Sequence, residues 1–418
     1  MTISQPAAPS AILGTMPFLL GLALLSGLPA HPACDPDNGG LTLPDGFCAT
    51  VVASKVGAVR QLAVAPNGDL YAAVANGATG GVLAVRDGNG DGKPDQRASF
   101  GPSGANDVEV RDGYLYVALN DRILRYLLSP SQLEPSGKPE TIVSDLPDNG
   151  NHKAKSLAFG RGDTMYVSIG SATNSCQQSD RRPRSPGKDP CQEVERRAGI
   201  WQFSASRPGQ RFEDGRRFAT GLRNALALKI QPGTGTLYAA VHGRDQLSDN
   251  WGFSDEMNAN NPAEELVQAG RGDDFGWPYC FYSNDQKKKV LAPEYGGDGQ
   301  KVGRCSSAKN PAMAFPGHWA PLALAFYEGD RFGPKYKGGL FAAFHGSWNR
   351  APLPQAGYRV VFIPFANQRP SGEYSTFAVA QAGPTDLRPS GLAVGPDGSL
   401  YISADQNQKI WKVTRRKG

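Results

Sequence analysis

His152 is the residue of this chain best suited to acid–base chemistry. It lies in the segment 148–153, which reads Asp-Asn-Gly-Asn-His-Lys, shortly before an apolar run. The ordinary pKa of histidine is close to neutral, so a neutral imidazole here can take a proton from a substrate hydroxyl. A histidine that only hydrogen-bonds to neighbouring loops would give the same pattern, and this alternative stays open.

Arg223 and Asn224 form a second candidate site at the start of another apolar run. A guanidinium beside an amide can hold a carboxylate or a quinone oxygen through paired hydrogen bonds. The alternative is an arginine that braces a loop.

Two segments, 242–245 and 345–350, begin with His-Gly and follow an apolar run (LYAAV and LFAAF). The main-chain carbonyls of Gly243 and Arg244 could bind a cation, since Ca²⁺ favours oxygen ligands, main-chain ones included. In the second segment Trp348 offers a stacking face and Arg350 a positive charge. The alternative is that both are copies of one ancestral repeat and only some keep a role.

Carboxylates give two weaker candidates for a metal site. The segment 87–95 resembles the first half of a calcium loop, although Ala98 stands where such a loop closes with glutamate. Its candidate ligands are Asp87, Asn89, Asp91 and Asp95, and an Asx-rich hairpin turn is the rival interpretation. Glu264 and Glu265 could support a metal-binding loop, and we expect at most a turn of helix over 264–269.

A repeated strand–turn–strand motif must position these residues. Each copy has an apolar run, a turn rich in Gly, Asp, Asn or Pro, and a second run with an aromatic near its start. The six copies are 61–74, 106–119, 156–170, 225–241, 321–344 and 391–405. The pattern predicts an all-β fold, a six-bladed β-propeller of four-stranded antiparallel blades.

The propeller geometry brings the candidate residues to one mouth of the central channel. A hairpin returns to the side on which it began, so residues before the first strand and after the second strand of each copy share that mouth. The first set includes Arg60, Asn106, His152, Arg223, Asn224, His318 and Arg388, and the second includes Asp121, 242–246, 345–350 and Asp405. Cations outnumber acids there, which suits a small polyanion, although strand ends can be polar only because they meet water.

Composition excludes several classes of function. The net charge of +5 is mild and scattered, so nucleic acid is not an expected partner. The basic runs 181–184 and 287–289 are interpreted as solvated loops. Phosphate-loop, dinucleotide and serine-nucleophile motifs do not occur in the sequence.

The first 33 residues lack charged side chains and include an apolar run, 11–28. They predict an export signal, with a membrane anchor or lipidation of Cys34 as alternatives. Residues 34–418 are then one propeller domain, located in the periplasm or outside the cell. Six cysteines behind an export signal favour disulfides, and local pairing predicts Cys34–Cys48, Cys176–Cys191 and Cys280–Cys305.

From about Leu43 onward, the chain resembles the glucose/sorbosone dehydrogenase family, six-bladed propellers that use pyrroloquinoline quinone (PQQ). The resemblance rests on five segments in order: 151–160, 221–224, 272–278 with its Phe-Gly-Trp-Pro core, 345–350 and 387–398. It implies a PQQ- and Ca²⁺-dependent oxidation of a sugar or sugar-derived aldehyde, with electrons passed to a soluble or membrane acceptor.

The resemblance also implies roles for single residues. His152 is the expected base, Arg223 and Asn224 are expected to hold the reactive quinone oxygens, and Arg388 to pair with a PQQ carboxylate. His345, Trp348 and Arg350 are further expected cofactor contacts. The carbonyls of Gly243 and Arg244 match the ligands of the Ca²⁺ that polarises PQQ.

The chain departs from the glucose enzymes at four positions in the cofactor and substrate shell. Arg244 replaces a proline, Leu226 a glutamine and a residue near Ser171 an aspartate, while a lysine near 346–347 is absent. These departures favour the sorbosone or pyranose branch. Two rival functions stay open: a propeller lactonase with a metal held by Asp107, Asp121 and Asp405, and a binding propeller without cofactor.

Overall fold

The computed structural model describes residues 1–2, 4–5, 34–77, 80–383 and 385–416. The predicted export segment, residues 1–33, therefore lies almost entirely outside the described residues. Within them, no helix is both long and apolar enough to cross a bilayer.

Six antiparallel sheets of four main strands form the blades of a propeller, as the repeats predict. In order from the channel outward, blade 1 comprises Val59–Val64, Leu70–Val74, Val82–Arg86 and Gln96–Phe100, and blade 2 comprises Asp107–Arg111, Tyr114–Ala118, Ile123–Leu127 and Glu140–Ser144. Blade 3 comprises Leu157–Phe159, Thr164–Ile169, Gly199–Ser204 and Arg216–Thr220, and blade 4 comprises Ala225–Ile230, Leu237–Val241, Glu264–Ala269 and Met313–Phe315. Blade 5 comprises Pro321–Phe326, Leu340–Phe344, Arg359–Ile363 and Ser375–Ala380, and blade 6 comprises Pro389–Val394, Leu400–Ala404, Lys409–Arg415 and Phe47–Ser54.

The second strand of a blade explains the apolar runs of the repeats. Leu70–Val74 and Leu237–Val241 both read LYAAV, and every residue in them is buried. Such a strand is covered on both faces by neighbouring blades, so it loses the alternation of a half-exposed strand. Its central alanines let the blades approach closely, while the tyrosine fills the space between them.

The first strands close a ring around the channel, each one in contact with the first strands of the two neighbouring blades. Closure depends on a strand from the other end of the chain, because Phe47–Ser54 is the outermost strand of blade 6 and pairs antiparallel with Lys409–Arg415. A closed ring fixes the relative positions of all the strand ends at the mouth.

Smaller elements complete the fold. Short strands extend three blades (Leu41–Thr42, Gln210–Arg211 and Asp273–Asp274), and two hairpins pair Cys280–Ser283 with Lys288–Leu291 and Phe365–Ala366 with Arg369–Pro370. In the described ranges, the α-helices are Leu247–Trp251 and Asp255–Asn260, and the 3₁₀ turns are Asn38–Gly40, Gln192–Glu195, Phe212–Asp214, Pro293–Tyr295 and Gly303–Ser307. The three predicted disulfides, Cys34–Cys48, Cys176–Cys191 and Cys280–Cys305, are confirmed.

Two local predictions are wrong. Residues 264–269, expected to form at most a turn of helix, are the third strand of blade 4, because their side chains pack between blades on both faces. Lys289, assigned to a solvated loop, is buried with its ammonium 2.8 Å from both carboxylate oxygens of Glu265.

Candidate functional site

A cavity of about 230 Å³ opens at the mouth of the channel, where the sequence predicts a site. Blades 3, 4 and 5 and two long loops contribute its walls. The lining residues are His152, Arg181, Arg223, Asn224, His242, Gly243, Asp245, Glu264, His318, Ala320 and Trp348. Pockets at the place where loops converge on a rigid scaffold are the usual location of binding and catalysis.

The ring of His152 is held in one tautomer. Its Nδ1 lies 2.9 Å from both the carbonyl oxygen and the Oγ of Ser171. Ser171 Oγ donates its own hydrogen to the Thr173 carbonyl at 2.6 Å, so both Ser171 oxygens act as acceptors toward His152. Nδ1 therefore carries the hydrogen, which leaves a lone pair on Nε2 for a substrate proton.

The position and charge of His152 follow from its surroundings. Gly170 lies so close that a Cβ there would stand 2.5 Å from the Cβ of His152, so only glycine permits this approach. Burial, followed by the charge of Arg223, lowers the pKa of His152 to about 2. The imidazole is therefore neutral, the form that a general base requires.

Arg223 is buried and nearly saturated with hydrogen bonds. Nε donates to the Asn174 carbonyl at 3.0 Å, Nη1 to the Gly243 carbonyl at 2.7 Å, and Nη2 to Asn174 Oδ1 at 2.9 Å and Asp245 Oδ2 at 3.0 Å. Four of its five N–H groups are thus engaged, and one remains to donate to a ligand. A single preorganised donor suits a carbonyl-type oxygen.

Asn224 adds a second polar group that faces the cavity. Its Oδ1 is buried and has no hydrogen-bond partner within the described part of the chain. The side-chain N–H groups of Asn224 have no acceptor in the described residues either, and the residue lines the cavity, so these groups can donate to a ligand oxygen. The turn that carries both residues needs Gly221, whose φ of +73° and closeness to Asp274 exclude a side chain.

Asp245 links the cations of the cavity. Burial alone would raise its pKa, but the charges of Arg223, His318 and Arg181 outweigh this and hold the pKa to about 2. Asp245 is therefore an ionised carboxylate shared by Arg223 and Arg181, each at 3.0 Å from Oδ2.

The segment of Gly243 and Arg244 passes along the cavity wall. The Gly243 carbonyl already accepts from Arg223 and keeps a second lone pair, so it remains a candidate cation ligand. The Gly243 N–H donates to Glu264 Oε2 at 3.2 Å. The side chain of Arg244 points elsewhere, into a buried ion pair with Glu294 at 2.6 Å.

The buried carboxyl of Glu264 leads to a prediction about stability. Burial raises its pKa from 4.5 to about 8, so the folded apoprotein keeps a proton that the unfolded chain has lost. The resulting stabilisation is complete below about pH 4.5 and is lost as pH rises through about 8. We expect Glu264→Gln, which has no proton to lose, to match the wild type near pH 5 and to exceed it by roughly 1–4 kcal/mol near pH 9.

Urea unfolding of the chelator-treated apoprotein at both pH values measures this difference. Glu265→Gln is the matched control, because it removes the counter-ion of buried Lys289 and should destabilise the protein at both pH values. A stability difference for Glu264→Gln that does not change with pH would contradict the prediction.

The predicted residues of the 345–350 segment lie in three different places. Trp348 lines the cavity and is 61% exposed. His345, whose Nε2 lies 2.8 Å from Asp405, joins a neighbouring cluster that also contains Arg60 and Arg388. Arg350 donates to the carbonyls of Pro354, Gly317 and Ala259, so in this structure it braces loops. Neither His345 nor Arg388 nor Arg350 is among the residues that line the cavity.

Arg181 lines the cavity although its sequence context does not indicate a site. From the sequence, the basic run 181–184 is interpreted as a solvated loop, which holds for the exposed Arg182 and Arg184 but is wrong for Arg181. Its guanidinium bonds to Asp245 and Gln246 and lies 6.0 Å from the ring centre of Trp348. The nearby cysteines, which fold the long loop back, are the one signal that could have indicated this.

The remaining carboxylate candidates are engaged within the protein. In the loop 87–95, Asp87 accepts from the N–H groups of Gly90 and Gly92, and Asp95 from those of Gly88 and Asn89. Calcium binding by Asp87, Asn89, Asp91 and Asp95 stays a prediction. Asp107 bonds to Ser156 and Leu157, whereas Asp121 pairs with Arg122 and Asp405 with Arg60 and His345.

The fold and the cavity define a six-bladed propeller that carries a histidine- and arginine-lined ligand site at one mouth of its channel. The chain belongs to the TrAA12-like family, whose profile matches residues 41–416.

Individual relatives agree with this assignment. The pyrroloquinoline quinone-dependent pyranose dehydrogenase of Coprinopsis cinerea is 29% identical over 245 residues, which cover 49% of this chain and 32% of that protein. The matched segments span between 32% and 48% of the length of the curated relatives.

Two solved structures share the fold. The holo form of the pyranose dehydrogenase PQQ domain from Coprinopsis cinerea superimposes with a TM-score of 0.74 at 20% identity, covering 90% of this chain and 97% of that one. A calcium structure of a family AA12 enzyme from Trichoderma reesei gives a TM-score of 0.75 at 19% identity, with coverage of 90% and 97%.

Proposed function

We propose that this protein is an exported PQQ- and Ca²⁺-dependent dehydrogenase that oxidises a sugar or a sugar-derived aldehyde. The observation that carries the proposal is one cavity wall with three complementary groups: the free Nε2 of neutral His152, the single open N–H of Arg223 and the side-chain N–H groups of Asn224. Family membership and the pyranose dehydrogenase relative support the same class of reaction.

The residues present fit the cofactor. Arg223 would hold a quinone oxygen through its open N–H and Asn224 through its side-chain N–H groups, and the carbonyls of Gly243 and Arg244 would bind the cation. His345 and Arg388 supply further polar groups beside the cavity, whereas Arg350 is engaged by loop carbonyls. When bound, PQQ supplies a two-electron acceptor for the hydride of the substrate carbon, with Ca²⁺ as a Lewis acid.

The chain itself supplies position and proton transfer. His152 takes the hydroxyl proton at Nε2 while Ser171 holds the opposite side of the ring, so the base cannot rotate out of reach. Arg223 is fixed by four acceptors before any ligand arrives, so little reorganisation is needed when charge develops beside it. A soluble or membrane carrier would then accept the electrons.

Three disulfides support the proposed export, since they persist in oxidising compartments such as the periplasm or the cell exterior. No specific observation favours a lactonase, because the carboxylates of Asp107, Asp121 and Asp405 bond to different protein partners.

Addition of PQQ and Ca²⁺ to the purified apoprotein tests the proposal. We expect saturable changes in quinone absorbance and tryptophan fluorescence, followed by bleaching of the quinone when an aldose, an aldehyde or sorbosone is added. Saturable binding without bleaching by any substrate would favour a binding propeller. Absence of binding, with or without Ca²⁺, would overturn the quinoprotein assignment.

A further inference from the structure

Arg181 reaches the cavity because the loop that carries it is folded back and fixed. The loop connects the second and third strands of blade 3 and is closed by the Cys176–Cys191 disulfide. Arg181 has a φ of +57°, in the left-handed region, and its N–H donates to Gln177 Oε1 at 2.8 Å. A non-glycine residue held in this conformation costs free energy and often marks a functional position.

The guanidinium of Arg181 has more N–H donors than its two hydrogen bonds use. Nη1 donates to Gln246 Oε1 and Nη2 to Asp245 Oδ2, both at 3.0 Å. Three of its five N–H groups have no acceptor in the described part of the chain. Arg223 has one such group, so the anion-binding capacity of this cavity lies mainly at Arg181.

The charge of Arg181 is also incompletely balanced. Asp245 is the one carboxylate that it contacts among the described residues, and Asp245 also pairs with the buried Arg223. Two guanidiniums thus share one carboxylate. The side chain of Arg181 keeps 30% of its surface exposed, so a soluble anion can reach it.

Trp348 supplies an apolar face beside this charge. It is 61% exposed although it lies at the edge of the cavity, and its ring centre is 6.0 Å from the Arg181 guanidinium carbon. A large aromatic left exposed beside a polar site is typical of ligand contact. One face of a pyranose ring consists mainly of C–H groups and can stack on such a ring.

We propose that Arg181 and Trp348 form a subsite for an acidic sugar, so that the preferred substrate is a hexuronic acid or an oligosaccharide that ends in one. Trp348 stacks on the pyranose ring, and the free N–H groups of Arg181 bind its carboxylate as a fork. The carboxylate is bound and not transformed. This inference rests on the proposed function for its chemistry, whereas the binding step stands on Arg181 and Trp348 alone.

The test compares matched sugars that differ only at carbon 6. In the PQQ- and Ca²⁺-loaded protein, kcat/KM is measured for glucuronate against glucose and for galacturonate against galactose. We expect the wild type to favour the acids by at least about 10-fold, the scale of one charge-assisted fork. Arg181→Gln should abolish this preference, and Arg181→Lys should restore part of it. Arg182→Gln, an exposed neighbour in the same loop, is the control and should keep it.

Calorimetric titration of the apoprotein with glucuronate separates this inference from the proposed function, because it needs no cofactor. Binding that is lost in Arg181→Gln supports the subsite even if the loaded protein oxidises no sugar. Equal turnover of acids and neutral sugars, together with no binding of glucuronate, would overturn the inference while leaving the dehydrogenase assignment intact. The inference would also be overturned if Arg181→Gln weakened PQQ binding and left the acid-to-neutral ratio unchanged, since Arg181 would then serve the cofactor.

Discussion

His152→Gln should lower turnover of the PQQ-loaded protein by about 100-fold or more while PQQ binding changes little. The physical reason is the loss of the Nε2 lone pair, which the Ser171 contacts leave free to take a proton. A glutamine amide can still donate to the Ser171 carbonyl but cannot take up a proton. Single-turnover bleaching of the quinone measures the effect on chemistry, and a PQQ titration measures binding.

His318→Gln is the matched control for this substitution. His318 lines the same cavity, but its Nε2 contacts the Asn258 carbonyl at 2.7 Å and its Nδ1 faces Asp245 at 3.8 Å. Both ring nitrogens are thus directed at protein groups, so its loss should affect turnover much less. Normal turnover in His152→Gln, or equal losses in both variants, would exclude His152 as the base.

The arrangement of strands could be predicted because the repeat is local. Five of the six hairpins span 14 to 17 consecutive residues, and the sixth, 321–344, spans 24. The identical LYAAV of Leu70–Val74 and Leu237–Val241 marks one position of the blade twice. The third strand of blade 4 was missed for the opposite reason. Glu264 and Glu265 have low strand propensity, and their burial is explained by Gly243 and Lys289, which are distant in sequence.

The predictable part of the site consists of residues next to the repeats. His152, Arg223 and Gly243 flank strands, so their convergence follows from the propeller itself. Arg181 could not be placed in this way, because a loop of about 30 residues can follow many courses. Its course is selected by the disulfide and by contacts with residues distant in sequence, such as Asp245 and Gln246. Arg350 shows the converse limit, since strand-end position alone did not reveal that neighbouring carbonyls engage its guanidinium.

Arg223→Ala is expected to abolish PQQ binding and to lower the free energy of unfolding by about 3–5 kcal/mol, the usual cost of breaking a buried ion pair. The substitution leaves Asp245 without its buried partner and removes the donor to Asn174 Oδ1 and to the Gly243 carbonyl. Arg223→Lys should restore neither PQQ binding nor stability, because a single ammonium group cannot reach the four acceptors that the planar guanidinium satisfies. Chemical denaturation and PQQ titration measure the two effects separately.

Arg388→Ala separates loss of the cofactor from loss of the fold. Arg388 is half-buried and its contacts with His345 and Tyr358 are long, at 3.4 Å, so its removal should cost about 1 kcal/mol or less. We expect it to lose PQQ binding while remaining folded, because its assigned role is to pair with a PQQ carboxylate. Retention of PQQ binding by Arg388→Ala would remove that role.

A double substitution identifies the source of the instability in Arg223→Ala. If Arg223→Ala is destabilised because the buried charge of Asp245 is left unpaired, adding Asp245→Asn should recover part of the lost free energy of unfolding. A neutral amide is less costly than a carboxylate to leave unpaired in the interior. PQQ binding should stay lost, since the donor to the quinone oxygen is still missing. Additive losses in the double variant would instead mean that Asp245 stabilises the cavity mainly through Arg181 and His318, its other partners.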